Sequence, residues 1–327
     1  AGMRIGVTGA NGFVGGYLLP ALKDAGHEVV ALVRSDTGLD SASVDETITI
    51  PTIDGRAEVG TLASALEGLD CVVHLAARVH VMDARLDDQD FADVNVEGSE
   101  RLFDAALTAG VKRFVFLSSV KAAGERSGAK PLTSDDAPAP EDAYGRSKLA
   151  AERRLSERAA GSACKLVVLR PAFVYGWPPA GNFRTVIKAV AKGIPLPLSA
   201  IRNARDMIYA GNLADAIRAA CVAKGLLDEP YFVSDGVPVS TPGLFRGVGA
   251  ALGRPARLFH VPSWLLRLAG ILTGRSAAIA RLTGNFVVDT APFIRDARWQ
   301  PPYKMSEGLN AVAKAWRTAN QAGPDRT

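Results

Sequence analysis

The chain has 327 residues, 48% of them hydrophobic, which is enough apolar material for a sizeable core. Its 38 basic and 34 acidic residues are interleaved rather than gathered in a basic stripe with aromatics, which argues against a nucleic-acid-binding protein. Three cysteines far apart in sequence, four histidines and the lack of a CxxC pair argue against a disulfide scaffold and predict no metal site. We therefore expect a protein of a reducing compartment, located in the cytoplasm.

One apolar segment, from Trp264 to Thr273, raises the question of a membrane. It is interrupted by Arg267 and is too short to span a bilayer, so we expect no membrane span. An amphipathic core helix is the favoured interpretation of this segment, and contact with a membrane surface is the minor alternative.

Short β-branched runs alternate with segments of helical apolar spacing over the first half of the chain. This alternation predicts an α/β fold with a Rossmann doubly wound parallel sheet, because each helix must cross back over the sheet between strands. The predicted strands are residues 4–7, 28–33, 71–75, 113–117, 165–169 and 231–234. The predicted helices in this half are residues 12–25, 58–67, 91–109 and 143–159.

The pattern changes after Pro171, where prolines and glycines become frequent. We expect a smaller, discontinuous C-terminal substrate lobe here, built from chain that leaves the sheet and returns. The predicted division is residues 3–175 and 206–240 for the nucleotide-binding domain, and residues 176–205 and 241–327 for the lobe.

The first predicted strand runs into Gly9, Gly12 and Gly15, which have the spacing GxxGxxG. Glycines at these positions let a backbone turn approach a pyrophosphate, and the following helix presents its free N–H groups to the anion. The motif follows a strand and opens a helix, which is the context that a dinucleotide site requires. The residues expected to bind the cofactor here are Gly9, Asn11, Gly12, Phe13, Val14 and Gly15.

The second strand ends at Val33-Arg34-Ser35, with no acidic residue to hold the adenosine ribose hydroxyls. Arg34 could meet a 2′-phosphate, stack on adenine or remain solvated. The choice between NAD and NADP therefore stays open from the residues alone.

Tyr144 and Lys148 form a YxxxK motif in a segment with helical spacing, so both lie on one helix face. An ammonium near a phenol favours the phenolate, and we therefore expect a lowered pKa for Tyr144 and a role as acid/base. Ser118 and Ser119 end a predicted strand at the edge where ligands bind in parallel sheets. Ser119 is the candidate that aligns the same substrate oxygen.

At this point the sequence resembles the extended short-chain dehydrogenase/reductase family, in its nucleotide-sugar epimerase/dehydratase branch, which includes the UDP-glucose 4-epimerases. The resemblance covers nearly the whole chain. It rests on the ordered motifs 8–15, 74–77, 95–98, 118–119, 144–148, 169–176 and 205–209.

The resemblance implies further roles. In that family the catalytic hydroxyl lies five residues before a glycine, and Gly124 then selects Ser119 rather than Ser118. Lys148 would also hold the nicotinamide ribose, and Arg205 would bind the diphosphate of a nucleotide sugar, as would Asn182 and Arg281. Surface ion pairs are the alternative role of the two arginines. The further residues implied in cofactor binding are Ile53, Asp54, Leu75, Ala76, Ala77, Asn95, Pro171 and Val174.

Departures from the family pattern reduce the number of reactions expected for this chain. Its 4,6-dehydratases carry Asp-Glu directly after the catalytic hydroxyl residue, where this chain has Val120 and Lys121. A dehydratase is therefore not expected. Lys121, Arg78 and His80 follow strand ends near the nicotinamide and are expected on the substrate side, although His80 could instead be a structural loop histidine.

The leading hypothesis is a 4-epimerase of a UDP-hexose or UDP-N-acetylhexosamine that passes through a transient 4-keto sugar with NAD as cofactor. A nucleotide-sugar 4-ketoreductase of surface polysaccharide or deoxysugar biosynthesis, using NAD(P)H, is the close alternative. A non-catalytic NADP-binding sensor is the third. The resemblance also implies a homodimer formed through the helices at residues 91–109 and 143–159.

Overall fold

A parallel sheet forms the centre of the computed structural model, which describes residues 2–35, 38–77, 91–179 and 181–321. Within these residues the sheet has seven strands in the order β3-β2-β1-β4-β5-β6-β9, and β7 pairs with β8 in a separate parallel ribbon. The strands are β1 Arg4–Thr8, β2 Glu28–Val33, β3 Glu46–Thr49, β4 Cys71–His74, β5 Arg113–Leu117, β6 Lys165–Pro171, β7 Phe173–Tyr175, β8 Met207–Tyr209 and β9 Pro230–Val233.

Helices cover both faces of the sheet. A π-helical turn at Ala92–Gly98 leads into one of them, and a short 3-10 turn at Val120–Ala122 follows β5. Numbered among the described residues, the helices are α1 Phe13–Asp24, α2 Val59–Ala65, α3 Ser99–Thr108, α4 Ala143–Ala159, α5 Gly181–Ala191, α6 Ala210–Val222, α7 Thr241–Leu252, α8 Ser263–Leu272, α9 Ser276–Thr283, α10 Ala291–Ala297 and α11 Met305–Gln321.

The central strands are apolar on both sides because helices bury both faces. In β2, Val29 and Ala31 join one buried cluster, whereas Val30 and Leu32 join the cluster on the opposite face. Strand β1 pairs with β2 on one side and with β4 on the other. The strand order therefore reverses next to β1, and the crevice at that switch point is where such sheets bind ligands. The predicted Rossmann fold is confirmed.

A second core lies in the C-terminal part of the chain, where Phe183, Phe245 and Val312 are buried together. It matches the predicted lobe, but Phe293 and Trp299 pack with the core of the sheet instead. The exact division into two domains stays a prediction. None of the described helices has both the length and the apolar content that crossing a bilayer requires.

Strand β3 is among the elements that the sequence pattern did not predict, and the helix predicted over residues 91–109 has different bounds. Strand β3 lies at the edge of the sheet and is mostly exposed, so its polar residues carry no continuous apolar signal. The helix predicted over residues 91–109 divides into the π-helical turn and α3.

The first turn of α1 provides a test of this packing. Gly15 is buried, and a Cβ on it would overlap the carbonyl group of Ala10, whereas a Cβ on Gly16 would meet open space. We expect Gly15→Ala to lower the free energy of unfolding by about 1–3 kcal/mol, because neither backbone segment can move freely. Gly16→Ala is the matched control and should raise it by up to about 1 kcal/mol through helix propensity. Urea unfolding of both variants measures the difference, and equal effects would contradict the packing described.

Candidate active site

The turn between β1 and α1 has the geometry of a phosphate-binding loop. Gly9 has a φ of +67°, and a Cβ there would lie 2.8 Å from the backbone nitrogen of Ala76, so only glycine fits. Gly12 precedes α1 without a side-chain cap, which leaves first-turn N–H groups outside the hydrogen-bond ladder of the helix. These groups and the helix dipole suit a pyrophosphate. Asn11, Phe13, Val14 and Gly15 belong to the same turn or to the start of α1.

Other residues predicted to line the cofactor lie at the carboxyl ends of neighbouring strands. The N–H of Leu75 donates to the carbonyl of Thr8 at 3.2 Å, and the N–H of Ala76 donates to the hydroxyl of Thr8 at 3.3 Å. These bonds hold the segment after β4 against the end of β1. Of the other residues predicted to line the cofactor, Ala77 follows β4, Pro171 ends β6, and Val174 lies within β7 of the separate ribbon.

The residues predicted near adenine are Arg34, which is exposed, and Ile53 and Asp54, which are buried. Arg34 is exposed directly after β2. Asp54 is buried, and its carboxylate accepts from the Arg56 N–H at 2.9 Å and from the Arg56 guanidinium at 3.2 Å. The backbone hydrogen bond is the main reason that the pKa of Asp54 is lowered. Ile53 is also buried, with its carbonyl close against Gly98. Asp54 therefore stabilises its own turn, and contact with adenine stays a prediction.

Helix α4 carries Tyr144 and Lys148 on one face, as predicted. Lys148 is 2% exposed, and its ammonium donates to the carbonyl of Leu117 at 2.9 Å, which ties α4 to the end of β5. The ammonium lies 5.9 Å from the centroid of the Tyr144 ring and 4.7 Å from that of Phe116. The ring of Phe91 packs edge-on to Tyr144 at a centroid distance of 6.3 Å.

The expected lowering of the Tyr144 pKa is wrong for this structure. Burial raises the pKa of Tyr144, and the negative charge of Asp142 raises it further. Burial also lowers the pKa of Lys148 to about 8, against the charge of Glu152, which raises it. Desolvation of both buried groups opposes the phenolate and the ammonium alike, an effect that the charge of Lys148 alone does not predict.

The two neighbouring serines have different partners. The hydroxyl of Ser118 donates to Glu152, whose carboxylate also binds the Arg170 guanidinium through contacts of 3.0 and 2.6 Å. All three side chains are buried and form a structural network. Ser119 instead is half-buried, and its hydroxyl accepts from the Lys121 N–H at 3.2 Å. The geometry therefore supports Ser119 over Ser118 as the hydroxyl that faces a ligand.

Lys121 links the end of β5 to the start of α4. Its ammonium lies 2.6 Å from the carboxylate of Asp142, and the same carboxylate accepts from the Gly145 N–H at 2.7 Å as the N-cap of α4. A sequence signal for this cap existed, since Asp directly precedes the helix at residue 143.

Glu125, which the sequence reasoning missed, brings three predicted substrate-binding cations together. Its two carboxylate oxygens lie 3.2 Å from the Lys121 ammonium and 3.5 Å from the Arg281 guanidinium. Arg205 donates to the carbonyl of Arg281 at 2.9 Å, and its guanidinium lies 6.0 Å from the centroid of the Phe286 ring. Burial lowers the pKa of Arg205, partly offset by the charge of Glu125. The cation cluster formed by Lys121, Arg205 and Arg281 is a candidate anion site.

The remaining predicted substrate residues are Asn182, Arg78 and His80. Asn182 is exposed in the first turn of α5, and its contact with a diphosphate stays a prediction. Arg78 and His80 lie outside the described residues.

Two buried polar residues, Asn95 and His74, stabilise the elements that carry the site through hydrogen bonds. The Asn95 amide donates to the Ser147 hydroxyl at 3.0 Å, and that hydroxyl donates to the carbonyl of Tyr144 at 2.8 Å. Asn95 thus positions α4, whereas its predicted contact with the cofactor is untested. His74 lies within 2.7 Å of the Thr8 hydroxyl and 3.0 Å of the Ser99 hydroxyl, and burial lowers its pKa to about 3. The neutral imidazole joins β1, β4 and α3.

Potential metal ligands do not gather in this region. No group of three or more His, Cys, Asp or Glu side chains suited to a metal ion occurs in the ranges that the structure describes. Cys71, Cys164 and Cys221 are buried free thiols.

Comparison with known proteins identifies the family of the chain. The NAD dependent epimerase/dehydratase family matches residues 5–231, which include the glycine turn, Ser119 and the YxxxK helix. The chain belongs to this NAD-dependent family.

The relatives of this chain include enzymes named for different activities. A UDP-glucose 4-epimerase of Vibrio cholerae is 35% identical over 96% of this chain and 95% of its own length. A 3-beta-hydroxysteroid dehydrogenase of Mycolicibacterium neoaurum is 27% identical over 94% of this chain and 89% of its own. The solved UDP-N-acetylglucosamine 4-epimerase from Bacillus cereus superposes with a TM-score of 0.75 at 20% identity, covering 96% and 99% of the two chains, which supports the fold.

The buried ammonium of Lys148 predicts a pH dependence of stability. Below about pH 8 both the folded and the unfolded chain carry the proton, and folding bears the full cost of burying the charge. As the pH rises from about 8 towards 10.5, the folded state releases the proton first, so stability increases.

We expect the stability difference between the wild type and Lys148→Met to grow in favour of the wild type by about 1–3 kcal/mol over this interval. Denaturant unfolding at about pH 7 and about pH 10 measures it. A difference that stays constant would contradict the buried, titrating lysine.

The N-cap of α4 can be separated from the ion pair of Lys121. Asp142→Ala and Asp142→Asn both remove the negative charge, but Asn retains a side-chain oxygen that accepts from the Gly145 N–H. We expect Asp142→Ala to be less stable than Asp142→Asn by about 1 kcal/mol in urea unfolding. Equal stability would show that the cap contributes nothing.

Proposed function

We propose that the protein is a nucleotide-sugar 4-epimerase that acts on a UDP-hexose or a UDP-N-acetylhexosamine with NAD as its cofactor. One observation carries the proposal: the acid/base set and the cation cluster are joined by direct contacts. Ser119 accepts from Lys121, Lys121 pairs with Glu125, and Glu125 pairs with Arg281 beside Arg205. A ligand with a reacting hydroxyl and a nearby anionic group fits this arrangement.

The chemistry begins with the hydroxyl on C4 of the sugar. Tyr144 takes the hydroxyl proton when its phenol is ionised, against the burial that raises its pKa, and Ser119 hydrogen-bonds the same oxygen so that it faces the phenol. NAD, when bound, supplies the acceptor of the C4 hydride and later its donor. The 4-keto sugar turns over in the site, hydride returns to its other face, and Tyr144 gives back the proton. No net oxidation or reduction results.

Lys148 has three roles in this scheme. Its ammonium fixes α4 to the Leu117 carbonyl, which places the Tyr144 ring at the end of β5. Its positive charge, 5.9 Å from the centroid of the Tyr144 ring, also favours the phenolate, whereas burial raises the pKa of Tyr144. Lys148 is the residue that would hold the nicotinamide ribose.

The cation cluster supports a diphosphate-bearing substrate rather than a neutral one such as a steroid. Guanidinium groups bind phosphate oxygens through paired hydrogen bonds, and partial burial strengthens the attraction. Arg205 is partly buried and packs against Phe286, so it is held in place before a ligand arrives.

The segment after Ser119 supports epimerisation over elimination of water. A 4,6-dehydratase needs an acid at the positions that Val120 and Lys121 occupy. Val120 is buried, and Lys121 is held by Glu125 and Asp142, so neither residue supplies that acid.

One observation favours a second candidate, a nucleotide-sugar 4-ketoreductase of surface polysaccharide or deoxysugar biosynthesis. Arg34 is exposed at the end of β2, where a guanidinium suits the 2′-phosphate of NADPH. Such an enzyme uses the same Ser119, Tyr144 and Lys148 but consumes one reduced cofactor in each turnover. The intact acid/base set argues against a non-catalytic NADP-binding sensor.

The proposed setting is a cytoplasmic homodimer with the two-domain division predicted from sequence. Helices α3 and α4 pack against each other, and Glu100 joins them through Arg154 at 3.1 Å and Arg158 at 2.7 Å. The proposed dimer is built on this helix pair.

The deciding experiment mixes the purified protein with UDP-N-acetylglucosamine and catalytic NAD⁺ and follows the sugar by proton NMR. Formation of the galacto isomer without net NADH supports the epimerase. If no isomer forms, but NADPH is consumed when a 4-keto sugar nucleotide is supplied, the ketoreductase replaces it.

Variants of the acid/base set test the roles of the two hydroxyls. We expect Tyr144→Phe to lower kcat by about 10²–10⁴-fold, since it removes the proton-transferring group. Ser119→Ala should lower kcat by about 10²-fold while stability changes by less than about 0.5 kcal/mol. Ser118→Ala is the matched control, because it removes one of the two donors to a buried Glu152 oxygen and should act on stability rather than on kcat. A loss of kcat in Ser118→Ala but not in Ser119→Ala would show that Ser118, and not Ser119, is the catalytic hydroxyl.

A further inference from the structure

Helices α8 and α9 form a hairpin in the C-terminal lobe with an unusual outer surface. Leu266 and Gly270 face inward, where Leu266 joins the lobe core and Gly270 packs against Ile279 on α9. The outward positions of a surface helix are normally polar. Here the outward side chains of α8 are apolar and exposed, namely Trp264 66%, Leu265 41%, Leu268 43%, Ile271 67% and Leu272 77%.

These side chains recur at spacings of three and four residues, so they form one stripe along the helix. Phe259 is 47% exposed just before α8, and Leu282 is 37% exposed on α9. Within the described ranges, most of the exposed large hydrophobic side chains lie on this hairpin or next to it. A gathering of this kind marks an interaction surface.

The charge of the surrounding segment is entirely positive. Residues 236–288 contain no Asp and no Glu, although the whole chain carries 34 acidic residues. Arg267 and Arg275 are exposed on the hairpin and form no ion pair within the described part of the chain. The arginines in this segment are Arg246, Arg254, Arg257, Arg267, Arg275 and Arg281.

We propose that the α8–α9 hairpin docks on an anionic phospholipid surface, with the apolar stripe of α8 inserted at the level of the head groups. An apolar helix face with Trp and Leu, flanked by arginines and without acids, has the chemistry that binds at such an interface. Trp264 suits the boundary between head groups and acyl chains. The hairpin is short, so it lies on the surface rather than crossing the bilayer.

Charge favours this partner over a second copy of the chain. A two-fold contact through α8 would bring Arg267 and Arg275 of both copies together without acids to compensate, whereas anionic lipid attracts them. The docked surface adjoins the cation cluster, because the Arg281 carbonyl on α9 accepts from Arg205. Docking therefore places the candidate substrate site beside the membrane, and it does not depend on which reaction the site catalyses.

Co-sedimentation of the full chain with vesicles tests the proposal. We expect binding to phosphatidylcholine vesicles that contain about one-third phosphatidylglycerol, weak binding to pure phosphatidylcholine, and release at high salt. Ile271→Glu with Leu272→Glu should reduce binding to background. Arg267→Gln with Arg275→Gln should weaken it about 25-fold, since each basic side chain near an anionic surface contributes about fivefold.

Leu227→Glu is the matched control, because Leu227 is an apolar side chain that is 54% exposed in the loop between α6 and β9, away from the hairpin. It should bind vesicles as the wild type does. Unchanged unfolding midpoints of the hairpin variants show that they fold. Absence of vesicle binding, equal binding to neutral and anionic vesicles, or an oligomer that dissociates only in the Ile271/Leu272 variant would overturn the proposal.

Discussion

The hydrogen bond from the buried Lys148 ammonium to the Leu117 carbonyl is the contact on which the site depends. It fixes helix α4 to the end of β5, and thereby sets the position of Tyr144 relative to Ser119. Burying an ammonium is costly, and the low pKa of about 8 reflects that cost. The carbonyl and the charge of Glu152 partly offset it. The same helix is braced at its first turn by Asp142 and from behind by Asn95.

Local patterns predicted much of this arrangement. The strand, glycine turn and helix at residues 4–24 were predictable from a local motif. Gly9 is required by its positive φ, and Gly15 is required because the backbone of Ala10, five residues earlier, leaves no room for a Cβ. Tyr144 and Lys148 lie four residues apart on one helix, so their common face follows from helical periodicity. The identity of the hydroxyl residue came from the family pattern, and the buried partner of Ser118 agrees with it.

Long-range contacts and burial were not predictable in the same way. Glu125 gathers Lys121 and Arg281 although 156 residues separate it from the latter, and no local pattern encodes that approach. The raised pKa of Tyr144 depends on how much chain covers the phenol, which periodicity does not give. The sequence of α8 resembles that of a core helix, although most of its apolar side chains are exposed. The sequence of a helix does not show which other elements pack against it.

In the proposed reaction the C4 hydrogen of the sugar leaves as hydride and returns to the same carbon, while Tyr144 transfers only the hydroxyl proton. UDP-N-acetylglucosamine deuterated at C4 tests it most directly when it is converted in ordinary water. We expect the isomer to retain deuterium at C4, because the hydride never exchanges with solvent. Loss of deuterium from C4 in the product would contradict it and would require proton abstraction from carbon instead.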